Sequence, residues 1–276
     1  MSRYIGNLDP FHVPEGRPMS SRLLRICIGV LAAWLLLDRT AERVVAQDER
    51  TATLRIRFKV HGGVPKQRMI NPPGVLPPIP DESLVVNPLN GGVQNVFFYV
   101  QTGRTGTKLP PVPPTQKTVR VDIQNGRLNQ HAFIMQAGDK LQMRNKDPSG
   151  YNLSFAFFKN PAATILLQGN APATLTIKQS EPAPTPIRCT VKPWVSASVL
   201  VLDHPYAAVS DEDGFCEIKG LPVGKEIIFR ANHETLSFSN VIISGLPQVW
   251  KRNRFEATLT PGLNDFGVVE LPWNRR

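Results

Sequence analysis

Cysteine is scarce in this sequence, and the motifs of several large protein classes are missing. The 276 residues include 3 cysteines, and none has the paired spacing of a zinc site or of a heme-attachment Cys-x-x-Cys-His motif. No Gly-x-Ser-x-Gly elbow, phosphate-binding loop or dinucleotide fingerprint occurs. No helix-turn-helix, zinc-finger or aromatic-rich RNA motif occurs either. The sequence therefore predicts neither a hydrolase nor a nucleic-acid-binding protein, and we expect no enzyme.

Sustained helical periods are also few, and strand patterns dominate residues 50–272. Thr51–Val60 alternates apolar and polar residues, and Val93–Val100 is rich in branched and aromatic residues. Prolines between Val64 and Pro80 are dense enough to predict an extended excursion without a regular strand or helix. Short, evenly spaced strands of this kind are typical of a β-sandwich, so the predicted fold class is all-β. Further predicted strands are Thr118–Ile123, His131–Met135, Lys140–Arg144, Asn152–Phe158, Ala173–Lys178, Ser196–Leu202, Phe215–Ile218, Glu226–Ala231, Asn240–Ile243, Phe255–Leu259 and Val268–Leu271.

Only one long apolar run is present, at Ile26–Leu37, and Arg22 and Arg25 precede it. The run is about a dozen residues long, whereas a membrane span needs roughly 20. A basic segment followed by a short apolar run indicates an export signal, with cleavage expected after Ala46 and Met19 as an alternative start. We therefore predict a leader over residues 1–46, a periplasmic or extracellular location, and no membrane span after cleavage.

The chain is basic, with a formal net charge of +10. Residues 1–46 hold 6 Lys/Arg and 4 Asp/Glu, so their removal takes away 2 positive charges and leaves +8. The basic residues are scattered along the predicted strands. Outside the cytoplasm, we expect the partner to be an envelope protein or an anionic polysaccharide rather than a nucleic acid.

Two segments share the frame of a type 1 copper site, which needs two imidazoles, a thiolate and a weak axial thioether. Gly138–Asp147 (GDKLQMRNKD) resembles the cupredoxin strand before the first copper histidine, and Tyr151 stands at that histidine's position. Cys189–Val195 (CTVKPWV) resembles the Cys-x-x-His-Pro-Trp-Met loop of a bacterial cupredoxin-like family of methylamine-utilisation type. Lys192 stands at the second histidine, and Val195 stands at the methionine.

The resemblance covers about residues 53–272. The segments Val201–Val209, Ser210–Gly214, Leu221–Gly224 and His233–Glu234 match the tail of that family, and the turns also resemble a carboxypeptidase regulatory-like β-domain. The resemblance implies a cupredoxin-like Greek-key β-sandwich over residues 51–192. It implies an appended small β-sandwich, carboxypeptidase regulatory-like, over residues 193–272.

The departures from the family pattern predict that copper binding is lost. The Tyr151 phenol and the Lys192 ammonium are protonated at neutral pH, and Val195 has no donor atom. Cys189 alone remains, and one thiolate does not make a selective copper site. The resemblance thus implies vestigial copper-site positions, no metal and no cofactor, in a non-catalytic exported binding or structural protein.

Several alternatives remain open for the sulfur and imidazole groups. Cys189 is either a buried small side chain or one half of a disulfide with Cys216. Copper-dependent electron transfer is the alternative function, with Cys189 joined by His131, His204 or His233. A carbohydrate-processing enzyme is a third hypothesis.

Three other features have a structural and a functional interpretation. His131 reads as a hydrogen-bonded strand histidine or as a ligand. We interpret His204 and the pair His233–Glu234 either as turn residues or as residues that together act as an acid and a base. The segment Trp250–Phe255 (WKRNRF) reads as a charged hairpin or as an anion site backed by an aromatic ring.

Overall fold

The computed structural model of the chain describes residues 51–74 and 77–273, and strands joined by turns make up this part. The all-β class is confirmed, since no α-helix occurs among the described residues; Lys251–Asn253 form one turn of 3₁₀ helix. In chain order the strands are β1 Thr51–His61, β2 Met69–Ile70, β3 Ile79–Pro80, β4 Phe97–Val100, β5 Thr118–Gln124, β6 Arg127–Leu128, β7 Ala132–Gln136, β8 Lys140–Asn145, β9 Tyr151–Phe155, β10 Ala163–Leu167, β11 Pro172–Thr176, β12 Thr185–Cys189, β13 Ser196–Leu202, β14 Ala207–Val209, β15 Phe215–Pro222, β16 Glu226–Asn232, β17 Asn240–Ile243, β18 Leu246–Val249, β19 Arg254–Thr258 and β20 Gly262–Pro272.

One sandwich, here called the terminal sandwich, is built from β1, β4 and β14–β20. Its two sheets have the orders β15–β1–β20–β17–β18 and β14–β4–β16–β19. Every second residue of β1 is buried, because successive side chains of a strand point to opposite faces of the sheet. Phe58 of β1 packs edge-on against Phe98 of β4, with ring centroids 5.7 Å apart. These rings join the two sheets into a single hydrophobic core.

A second sandwich, the inserted sandwich, is built from β5–β13. Its sheets have the orders β10–β9–β12–β13–β7 and β11–β8–β5–β6. Val121 and Met143 from one sheet and Leu153, Ile187 and Val199 from the other are fully buried in its core. Both sandwiches therefore bury alternating residues between facing sheets, as the strand patterns predict.

The two sandwiches contact each other through their outer faces. A third cluster joins Phe97 and Tyr99 of β4 to Leu200 and Leu202 of β13. These residues alternate with neighbours that point into the two main cores, so β4 and β13 are apolar on both faces. The described residues, 51–74 and 77–273, belong to one compact unit.

Strand pairing crosses the predicted boundary between residues 192 and 193. β1 runs antiparallel to β15, with Arg55 opposite Glu217, and parallel to β20, with Phe58 opposite Val269. β13 pairs instead with β12 and β7 of the inserted sandwich. The sheets therefore do not divide where the sequence predicts a boundary, because the first strand finds its partners near the other end of the chain.

The proline-rich excursion differs from the prediction in one respect. Residues Met69–Ile70 and Ile79–Pro80 pair as the two-residue strands β2 and β3. Both strands stay short, since the prolines around them lack the N–H groups that a longer ladder uses.

Within the described ranges, no helix is long and apolar enough to cross a membrane. The predicted leader, including Ile26–Leu37 and the cleavage position after Ala46, lies outside the described residues.

Candidate functional site

The Cys189 loop, residues 189–195, lies at one end of the inserted sandwich. Strand β12 ends at Cys189, which pairs with Leu153 of β9. The Cys189 amide donates to the Val195 carbonyl at 3.0 Å, and the Val195 amide donates to the Lys192 carbonyl at 2.9 Å. The loop therefore folds back on itself, and it lies beside the start of β9 at Tyr151.

Lys192 and Tyr151 are brought into direct contact. The Lys192 Nζ lies 3.8 Å from the centroid of the Tyr151 ring, and it also donates a hydrogen bond to Ser149 Oγ. An ammonium above an aromatic face is attracted by the negative face of the ring. Tyr151, Cys189 and Val195 are all buried here in the core of the inserted sandwich.

Asp147 anchors the phenol. The Tyr151 hydroxyl donates to Asp147 Oδ2 at 2.6 Å, and the same carboxylate accepts the backbone amides of Asn125 and Gly126 at 2.7 and 2.9 Å. Burial opposes ionisation of Asp147, but these hydrogen bonds and the Lys192 charge outweigh it, so its pKa lies below the ordinary value. Burial, together with the Asp147 carboxylate, raises the pKa of Tyr151 well above its ordinary range. At neutral pH the phenol is therefore a hydrogen-bond donor.

These residues do not fit a type 1 copper ion. The donor atoms at the two positions expected to carry imidazoles are the Tyr151 hydroxyl, committed to Asp147, and the Lys192 ammonium, committed to Ser149. Val195 offers no donor atom. Over the part of the chain that the structure describes, no group of three or more His, Cys, Asp or Glu residues could hold a metal ion.

An open cleft of about 550 Å³, here called the loop cleft, borders this network. Tyr151, Lys192 and Asp147 line one side of it, and the proline-rich excursion lines the other. Arg127, which forms an ion pair with Glu82, adds a second cation to the lining. The Cys189 loop thus borders an open cleft of a size that can bind a ligand, rather than an enclosed metal site.

The disulfide between Cys189 and Cys216 is not formed. Both cysteines are free and buried, Cys189 in the core of the inserted sandwich and Cys216 in the core of the terminal sandwich. Burial raises the pKa of the Cys216 thiol far above its ordinary value, so this group is an inert thiol.

The three histidines considered as ligands each make other contacts. His131 Nε2 lies 2.8 Å from Glu234 Oε2, which links the residue before β7 of the inserted sandwich to the residues after β16 of the terminal sandwich. His233 Nδ1 accepts the amide of Thr235, and burial lowers the pKa of His233 to about 4. These contacts do not bring the histidines together with Cys189 as a ligand set.

His204 is almost fully buried, and its Nδ1 accepts the amide of Tyr206 at 3.2 Å. Burial lowers the pKa of His204, so the ring is neutral at physiological pH. The pairing of His131 with Glu234 is a contact that sequence reasoning missed, because 103 residues separate the two.

The segment Trp250–Phe255 does not present an aromatic ring to an anion. Trp250 is buried, and its ring stacks on Phe255 with centroids 5.2 Å apart. Lys251 and Arg252 lie on the 3₁₀ turn and are exposed. The indole belongs to the core of the terminal sandwich, and the charges belong to a solvated turn.

Comparison with known proteins gives a weak structural similarity and nothing else. No protein-family model matches the chain, and no curated protein matches it. A reduced amicyanin variant is 18% identical over 30% of this chain and 81% of its own length, with a TM-score of 0.27. A Cu(I) form of another amicyanin variant is 17% identical over 32% of this chain and 94% of its own length, with a TM-score of 0.28. Because both TM-scores are low, no functional residue of amicyanin is transferred to this chain.

Proposed function

We propose that this chain is a non-catalytic, exported binding protein whose inserted sandwich is cupredoxin-like and has lost its copper ligands. The terminal sandwich is the carboxypeptidase regulatory-like part. The observation that carries the proposal is the contact of the Lys192 ammonium with the face of the Tyr151 ring.

Two physical arguments support the loss of metal. The Lys192 ammonium beside the Cys189 loop repels a copper cation, since like charges a few ångströms apart repel each other. The hydrogen bonds of Tyr151 with Asp147 and of Lys192 with Ser149 also hold this end of the sandwich together without a metal. The geometry therefore favours a scaffold role.

The binding role rests on the loop cleft and on the net positive charge of the chain. The loop cleft is large enough for part of a macromolecule or a small ligand, and Lys192 and Arg127 border it. With a net charge of +8 after removal of residues 1–46, the chain would attract anionic partners. An envelope protein or an anionic polysaccharide is the proposed partner class, and a pull-down from an envelope extract would identify it.

Copper titration tests the proposal most directly. The native protein should bind no stoichiometric copper and stay colourless. The triple variant Tyr151→His, Lys192→His, Val195→Met restores two imidazoles and a thioether beside Cys189, so it should bind one copper ion and develop an intense visible absorption band. Val195→Met alone is the control, because it adds the thioether without the imidazoles.

Two outcomes would contradict the proposal. A coloured, stoichiometric copper complex of the native protein would favour the electron-transfer alternative. A triple variant that keeps its circular dichroism spectrum but stays colourless with copper would mean that the loop is not the remnant of a copper site.

Export is a separate part of the proposal with its own test. N-terminal sequencing of native protein from an envelope fraction should begin within a few residues of Gln47. Recovery of intact Arg22–Leu37 in that protein would instead indicate a membrane anchor.

A further inference from the structure

A second cleft, here called the amide cleft, opens between the two sandwiches. Its volume is about 630 Å³, within the range of about 300–1,000 Å³ typical of small-ligand sites. The approach to β4, the β5–β6 hairpin and the start of β7 contribute most of its walls. Seven carboxamide side chains line it: Gln67, Gln94, Asn95, Gln124, Asn125, Asn129 and Gln130.

Most of the hydrogen-bonding capacity of these amides is unused. The side chains of Gln94 and Asn95 are half-buried and make no hydrogen bond to any described residue, and the exposed side chains of Gln124 and Asn125 make none either. A structural amide in the same protein behaves differently: Asn160 donates to Glu181 and Gln179 and accepts two backbone amides. Half-buried amides without partners are available to a ligand that replaces their water.

The backbone holds two of these amides in a rare conformation. Asn125 has a φ of 54°, which the tight Asn-Gly turn between β5 and β6 requires. Asn95 has a φ of 67° although it lies outside any two-residue hairpin, and its backbone N–H donates to the Ser210 carbonyl at 3.2 Å. Asparagine tolerates this conformation better than most residues, so the backbone can hold both side chains at the cleft.

Charge in the amide cleft is balanced. Glu82 and Arg127 are the carboxylate and guanidinium among its described lining residues, and they form an ion pair with each other. His131, which is 8% exposed, directs Nε2 to Glu234, and its Nδ1 has no partner among the described residues. An anionic ligand would find no unpaired cation here, so the lining favours a neutral ligand.

We infer that the amide cleft binds a neutral saccharide, which adds a second site and a second ligand class to the anionic partner proposed above. A carboxamide presents an acceptor oxygen beside two N–H donors, and each sugar hydroxyl is both a donor and an acceptor. One amide can therefore pair with two neighbouring hydroxyls. Val85 and Val209 supply apolar surface for the C–H faces of a sugar ring.

An extended peptide fits the amide cleft less well. Peptides that add to a sheet need a free edge along which main-chain hydrogen bonds repeat. The edge strands at this cleft are β3 and β6, with two residues each, β14, with three, and β7, with five, of which only Ala132 lines the cleft. A ladder this short would hold few residues of a peptide, whereas a saccharide needs no strand edge.

Isothermal titration calorimetry with neutral trisaccharides tests the inference. The probes are maltotriose, cellotriose, mannotriose and tri-N-acetylchitotriose, each measured at low and at high salt. At least one should bind the native protein with an affinity independent of salt, because no net charge is neutralised. The double variant Gln94→Ala, Gln124→Ala should weaken that binding about tenfold, since two hydrogen-bonding side chains are lost.

The matched control is Gln248→Ala, which removes an exposed, unpaired amide from β18, outside the cleft. It should leave the affinity unchanged. If the double variant loses its native circular dichroism spectrum, Gln124→Ala alone replaces it, because that side chain is exposed and unpaired.

Failure of this inference can be told apart from failure of the proposed function. Absence of heat with all four trisaccharides, binding that survives loss of the two amides, or binding of extended peptides in their place would overturn the saccharide assignment. Capture of an anionic polysaccharide through another surface would leave the proposed binding function standing. An envelope pull-down without any specific partner would count against that function itself.

Discussion

A buried carboxylate, Glu181, provides the sharpest test of the energetics of the inserted sandwich. It is 4% exposed and lies in the segment that leads into β12 and the Cys189 loop. Its two oxygens accept the backbone amides of Phe158, Lys159 and Asn160 at 2.9–3.1 Å and the Asn160 side-chain amide at 2.8 Å. No cation of the described residues pairs with Glu181, so within this part of the chain amide N–H groups alone balance its charge.

Replacing Glu181 by Gln changes this balance with little change of shape. The new side chain keeps one acceptor oxygen, but its NH₂ group faces backbone N–H donors that then have no acceptor. Hydrogen bonds to a charged group contribute about 1.5–3 kcal/mol, and an orphaned buried donor costs about 1–3 kcal/mol. We therefore expect Glu181→Gln to lower the free energy of unfolding by about 2–4 kcal/mol at pH 7.

The difference in free energy of unfolding between the native protein and Glu181→Gln should depend on pH in a defined direction. Burial raises the pKa of Glu181, but the hydrogen bonds from Asn160, Lys159 and Phe158 outweigh it, so the pKa in the folded state lies below 4.5. A depressed pKa contributes stability above the pKa of the unfolded state, and this stability is lost as the pH falls through the folded-state pKa. The gap between native protein and Glu181→Gln should thus be complete at pH 7 and should shrink below about pH 4.5.

Urea unfolding followed by tryptophan fluorescence, at several pH values between 3 and 7, would measure both effects. The control is Glu212→Gln, an exposed carboxylate without partners, which should change the free energy of unfolding by no more than about 0.5 kcal/mol. A Glu181→Gln variant as stable as the native protein at pH 7, or a gap that widens in acid, would refute the reasoning.

Three further predictions concern the turns, the thiols and the phenol. Gly214→Ala should lower the free energy of unfolding by more than about 3 kcal/mol, because φ is +83° and the new Cβ would lie 2.1 Å from a β1 carbonyl oxygen. Gly224→Ala, where φ is +73° but the new Cβ would lie in open space, should lower it by about 1–2 kcal/mol. Equal losses for the two variants would contradict this reasoning. In protein beginning near Gln47, Cys189 and Cys216 should react with Ellman's reagent only after unfolding, whereas a disulfide in unreduced mass spectrometry would rule out two free thiols. Tyr151→Phe should lower the free energy of unfolding in urea by about 1–3 kcal/mol, since the Asp147 carboxylate loses a buried donor; an unchanged midpoint would argue against that bond.

Local patterns predicted most of the longer strands. Thr51–Val60 alternates strictly, and β1 covers Thr51–His61 with every second side chain buried. The Asn125–Gly126 turn joins β5 and β6, as an Asn-Gly pair predicts. The sequence predicts such segments correctly because alternation and turn chemistry depend on residues that are neighbours in the chain.

Among the paired strands that escaped prediction, β10 and β12 did so for identifiable reasons. β12, Thr185–Cys189, contains Pro186 and follows a proline-rich stretch, and both features argue against a strand. β10, Ala163–Leu167, alternates exposed and buried positions, but nearly all of its residues are apolar, so its sequence shows no period of two. In both cases pairing with β9 decides the structure, and pairing is not a local property.

The sequence by itself determined the all-β class, most strand positions and the identity of the residues at the Cys189 loop, because propensity, alternation and motif spacing are read along the chain. Only the tertiary structure decided which strands share a sheet, that Cys189 and Cys216 lie in different cores, and that His131 meets Glu234. It also decided that seven side-chain amides from separate segments line one cleft. Each of these depends on contacts between residues far apart in the chain, whose free energy comes from burying whole faces of sheets against each other rather than from any local preference.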